Sequence, residues 1–272
     1  MDVASALTPL VALKLVIYSF GSLVHLFLMV LILGQRRLRR LEWLLFALMV
    51  ALFMWNSGNL LALNVGLFYG VGPNTLAAIS RLVPFLGFIA AVPLLVHVHA
   101  EYIRQFRSRS LVEQVIVAAF YLPLVGIPWM MARLLGRIEM DPLIALRPFV
   151  RWLVVWLVLG LAASAVFNLT LRRSQESHAA RLHTVLACIE GLLAVGFVVE
   201  YFVRGPLVHG VGGYFAAFLM LASIVPSGLV GYSIFRYNFL DLQVRRNLIY
   251  SLAGIFALLI YLNVIRRLSG YL

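Results

Sequence analysis

Long apolar runs follow one another through this chain with too little between them to build anything but helices in a bilayer. Seven runs, at about 11–34, 43–68, 75–100, 111–135, 149–171, 182–203 and 211–235, are each long enough to cross. About 20 apolar residues in a helix span a hydrocarbon core of about 30 Å. An eighth run, 248–265, gives about 27 Å at 1.5 Å per residue, which is marginal but sufficient. Composition agrees: the chain is 63% hydrophobic and 12% charged, where soluble domains are about 45–50% apolar and about 25% charged. At about 30 residues per crossing, 272 residues hold seven to nine spans and no sizeable soluble domain. The expected fold is therefore all-α, a polytopic transmembrane bundle of seven to eight spans, and its first partner is the lipid bilayer.

The net charge of +12 does not indicate nucleic-acid binding, because the arginines come in small groups between apolar runs and form no basic face. Thirteen of the 22 Lys and Arg residues fall in the loops after runs one, three, five and seven. These loops are expected on the cytoplasmic side and the N-terminus outside. Trp129 and Trp152 near outer helix ends, and Trp43 near an inner end, fit interfacial anchoring. The first run reads as a spanning helix and not a cleavable leader, since Asp2 is acidic and the run is too long. Eight spans would leave Leu272 outside, where Arg266 and Arg267 are disfavoured. The C-terminal region is therefore expected to belong to something longer. Residues 1–246 read as a seven-span bundle with its exit segment, and 247–272 as an eighth span leading to a missing region.

Within the spans, ionisable groups are the first functional candidates, since charge at membrane depth is costly. Glu190 should sit in the inner half of the sixth helix and Glu200 near its outer end, at the i+4 spacing that can pair it with Arg204. Asn56, Asn59 and Asn64 spread over about half of the second helix and should face other helices, lining a pocket or bonding across the bundle. His97 and His99 point about 200° apart and cannot easily share a metal. His97 shares a face with Glu101, but two ligands are too few for a site, so no metal or other cofactor is assigned. His25 has no fixed distance to either. Cys188, the sole cysteine, lies in an apolar run and reads as an inert packed thiol. Glu113 at a helix start reads as an ordinary solvated carboxylate. Pro84, Pro93, Pro123, Pro128 and Pro226 can kink their spans. No GxxxxGK[ST], G-x-S-x-G or HExxH motif is present, so this chain is not expected to be an enzyme by itself.

The segment leaving the seventh run carries Pro226, Tyr232, Ile234, Arg236, Tyr237, Asp241, the pair Arg245 and Arg246, and Tyr250 in that order. It resembles the end of the N-terminal multi-helix membrane input region of bacterial sensor histidine kinases. The step from Asp241 to Arg245 is shorter than in the commoner form of that pattern. The resemblance covers about 25 residues; helix count and orientation agree over the rest. It implies an input region in a bacterial inner membrane that passes a ligand or membrane signal through its last helices to a cytoplasmic kinase module, normally as a homodimer. That module is not in these residues, which contain no phosphoacceptor helix and no Gly-rich ATP-binding boxes. The alternative is a small transporter or channel with Glu190 as its coupling group.

Overall fold

The computed structural model describes residues 8–34, 38–68, 75–106, 110–129, 132, 142–173, 177–203, 211–237 and 254. Seven long helical segments account for nearly all of these: α1 (Pro9–Leu33), α2 (Arg40–Phe68), α3 (Thr75–Ile103), α4 (Leu111–Tyr121), α5 (Pro142–Arg172), α6 (Ser177–Val198) and α7 (Val211–Tyr237). Short helical turns extend two of them, at Leu122–Gly126 after α4 and Val199–Val203 after α6. There is no strand among the described residues. All seven segments are long and apolar enough to cross a membrane. The chain is thus an all-α membrane-protein bundle, as its apolar runs require. The eighth run lies outside the described residues save for Gly254, as do Asp241, Arg245 and Arg246; Arg236 and Tyr237 close α7.

Local chemistry sets the helix ends. Thr8 caps α1 by accepting from the Val11 N–H, and Pro9 takes the first helical position, where its missing N–H costs nothing. Ser110 and Glu113 form a reciprocal capping box at the start of α4. Glu113 is consequently buried, not solvated as its position in the sequence suggests. Pro123 cannot donate to the Ala119 carbonyl, so the Leu122 N–H takes that carbonyl instead and the helix tightens into a 3₁₀ turn. Pro128 repeats the effect one turn on, where the Ile127 N–H takes the Leu124 carbonyl. α5 already begins at Pro142, seven residues before the apolar run at 149–171.

The helices close a ring in the order α1, α2, α3, α5, α6, α7, with α7 returning to α1 and α4 packed outside on α3. Leu28 and Ile32 meet Leu45 and Met49 across α1 and α2, and Leu161 meets Leu193 and Leu219 across α5, α6 and α7. Ile17 and Ile224 close the ring. Apolar side chains such as Val115, Leu159, Leu192 and Phe218 cover the outside; Trp43 and Trp129 are exposed near helix ends, as interfacial anchors would be, while Trp152 is exposed ten residues into α5 and not near its end. Cys188 is also exposed, about 16 Å along α6 from Ser177, so it is an outward-facing thiol and not a packed one. Aqueous maleimide needs the thiolate, which does not form in hydrocarbon. Labelling of Cys188 in liposomes should therefore be at least about tenfold slower than after unfolding in SDS. Equal rates would place this face of α6 in water.

Tight approach of α2 and α3 depends on glycine. A Cβ added at Gly87 would lie 2.5 Å from both the Ala51 carbonyl oxygen and the Trp55 nitrogen, which are backbone atoms that cannot swing away. Gly58 meets the Pro84 ring in the same seam. Such small-residue contacts hold helices together where no hydrophobic effect separates helix from lipid. Gly87→Ala should cost about 1–3 kcal/mol, the usual penalty of overpacking. Gly191 has nothing within 4 Å of an added Cβ, so Gly191→Ala should be neutral or stabilise by about 0.5–1 kcal/mol. SDS titration in mixed micelles would read both.

Candidate site in the bundle interior

The ring encloses a cavity of about 350 Å³, with wall residues from α1, α2, α3, α5, α6 and α7 and none from α4. Its wall on α3 runs from Phe85 to Tyr102 and on α6 from His183 to Tyr201 just beyond the helix end, so the cavity is about 25 Å long. Aliphatic and aromatic side chains make most of it, Trp55 and Phe88 packing with ring centroids 5.2 Å apart. Polar groups gather in two places.

The larger cluster lies toward the end of the bundle where α3 and α5 finish and α6 begins, and Asn168 of α5 is its hub. The Asn168 amide donates to Glu190 Oε2 at 2.9 Å and to His99 Nε2 at 2.9 Å. Its oxygen accepts from His183 Nδ1 at 2.8 Å. Glu190, Asn168 and His183 are at most 2% exposed. His99 Nδ1 lies 2.8 Å from the Leu95 carbonyl, to which it can only donate. With Nδ1 as donor and Nε2 accepting from Asn168, His99 is neutral. Its 3.6 Å approach to Glu190 Oε1 is then a lone pair facing a carboxyl, not an ion pair.

The smaller group joins α1 to α7. His25 Nδ1 donates to the Gly21 carbonyl at 2.6 Å, and His25 Nε2 lies 3.1 Å from Ser227 Oγ. Pro226, beside Ser227, lines the same cavity. Asn56 from α2 packs against Gly21, so tightly that any Cβ there would collide with its amide.

Of the residues singled out in the sequence, Glu190 and Asn56 line the cavity; Asn59, His97 and Glu200 are not in its wall. The asparagine amides of α2 do not cross the bundle: Asn56, Asn59 and Asn64 donate to the carbonyls of Leu52, Trp55 and Leu60, each four residues back on the same helix. His97 turns to α4, where Nδ1 meets Tyr121 Oη at 3.0 Å and the rings pack edge to face. Glu101 does not share His97's surroundings, since it pairs with Arg104 at 3.2 Å and with Arg40 of α2 at 3.6 Å. Glu200 sits in the π-helical turn Val199–Val203; Arg204 is outside the described residues. Of the exit residues, Tyr232 is exposed on α7 and Pro226 lies inside that helix. Asn168, His183 and Ser227 were not singled out, and His99 was weighed only as a metal ligand beside His97, although the cost argument that selects Glu190 applies to any polar side chain at membrane depth. Among the described residues, no three His, Cys, Asp or Glu side chains converge as a metal ion would need. No family model, no curated protein and no solved structure matches this chain.

Proposed function

We propose that this bundle is the membrane sensory region of a bacterial signalling kinase, reading a ligand held inside it. The single observation that carries this reading is that Pro226 both lines the cavity and sits inside α7, the helix that leads into the exit segment around Arg236. A ligand touching the wall at Met220, Ser223 and Pro226 has differential contacts with two settings of α7, which is what a shift between two packings requires. The arginine-bearing loops then face the cytoplasm of the inner membrane, Asp241, Arg245 and Arg246 relay the difference, and a downstream kinase module in a longer homodimeric parent receives it.

The reading is tested by fusing residues 1–246 ahead of a soluble histidine-kinase core whose output drives a reporter. Ala91→Phe fills the cavity from α3 and should lock the output at one level. An output that is the same for the wild-type bundle, Ala91→Phe and Pro226→Ala would sink the proposal.

A second reading, a transporter or channel, is favoured by Glu190 itself, a buried carboxyl facing the cavity with no Lys or Arg partner among the described residues. Such a group is a natural proton- or ion-coupling site. Glu190→Gln in proteoliposomes should then abolish flux, whereas a sensor has no flux to lose.

A further inference from the structure

We infer that the cavity takes an apolar amine, its ammonium head on Glu190 and its hydrocarbon tail along the aromatic wall. This rests on the cavity being a ligand site, and it names the class of ligand. Three observations carry it. First, Glu190 is buried and lines the cavity, yet its one hydrogen bond among the described residues is from the neutral amide of Asn168. The nearest basic group, His99, already has its Nδ1–H on Leu95 and its Nε2 lone pair occupied by Asn168, so it brings no positive charge. A buried carboxylate left this way calls for a cation with N–H donors.

Second, the same geometry rejects the other heads. A carboxylate or phosphate would face the Glu190 carboxyl with no cation beside it among the described residues. A neutral alcohol would donate one hydrogen bond and leave the buried charge uncompensated. Third, the wall beyond Glu190 is apolar for about 16 Å along α6, through Leu193 and Phe197 to Tyr201, with Phe85, Phe88 and Trp55 opposite. That is a slot for one extended chain.

The test is equilibrium binding of radiolabelled dodecylamine to the full chain in lipid nanodiscs, with uptake by empty discs subtracted. Dodecanol and dodecanoate serve as heads of different charge on the same tail. The amine should bind saturably, one per chain, and the alcohol and carboxylate at least about tenfold more weakly. Glu190→Gln keeps the acceptor for Asn168 and removes the charge, so it should weaken amine binding at least about tenfold and leave dodecanol unchanged. Dodecanol binding wild type as tightly as dodecylamine would overturn the ammonium head while leaving a chain-binding cavity in place, and the head-group comparison needs no variant to fold. Amine binding equal in Glu190→Gln and wild type would overturn Glu190 as the anchor. Saturable binding of none of the three would overturn both this inference and the cavity as a ligand site.

Discussion

Asn168→Leu should cost about 2–5 kcal/mol of bundle stability, the largest loss expected from any single polar side chain here. The lower figure takes the roughly 0.6 kcal/mol average for an interhelical hydrogen bond in a membrane and applies it to the three bonds that Asn168 makes. The upper figure takes the cost of leaving buried polar groups unmet, about 1–3 kcal/mol each, with partial relaxation into the cavity. The bonds tie α3, α5 and α6 together at one level, so all three helices loosen at once. Asymmetry gives the sharper check. Once Asn168 is gone, Glu190 is an orphaned acceptor, and removing it also should be less harmful than the single changes suggest. The double variant Asn168→Leu, Glu190→Leu should therefore fall short of additivity by about 0.5–2 kcal/mol in SDS titrations. Strict additivity would mean that the two side chains do not share a bond.

The sequence made the architecture legible because a bilayer leaves an apolar run little choice: the runs near 11–34 and 43–68 map onto α1 and α2 within a few residues. It misled where a short-range rule met a specific backbone. The 3₁₀ turn after α4 comes from two prolines five residues apart, and the early start of α5 from a proline suited to a first helical turn. The site was half legible. Glu190 stands out as a carboxylate in an apolar run, but the Asn168 that bonds it comes from α5, and the His99 and His183 that share Asn168 come from α3 and α6. The ring order that brings those three helices together is a tertiary fact. His97 and His99 show the limit plainly. Two residues apart, they must point to opposite sides of α3, and only the placement of α4 on one side and the cavity on the other decides that His99 is the inward one. Asn56, Asn59 and Asn64 show a different limit: a buried amide can satisfy itself on its own helix, so their number says nothing about cross-bundle bonds.

Pro226→Ala should move the free end of α7 by several ångströms. Proline removes the N–H that would bond the Ala222 carbonyl and its ring crowds that carbonyl, so kinks at proline commonly exceed about 20°. Ser227 to Tyr237 forms an arm of about 16 Å beyond the proline. Straightening it by about 20° displaces its tip by about 5 Å and Tyr232, some 9 Å out, by about 3 Å. A buried hydrogen bond resists this, from Ser227 to His25 of α1. Its loss costs about 1 kcal/mol, less than the roughly 3 kcal/mol by which proline disfavours a helix interior, so the straight arm should win. The movement is measurable between spin labels at Leu33→Cys and Tyr232→Cys, both exposed, in a Cys188→Ser background. A distance unchanged to within about 1 Å would mean that the arm does not pivot at Pro226. A shift of about 3 Å that Ser227→Ala alone does not reproduce would place the pivot in the proline. The cavity wall and the exit helix would then bend at one residue, which is the mechanical link that a sensor needs and a transporter does not.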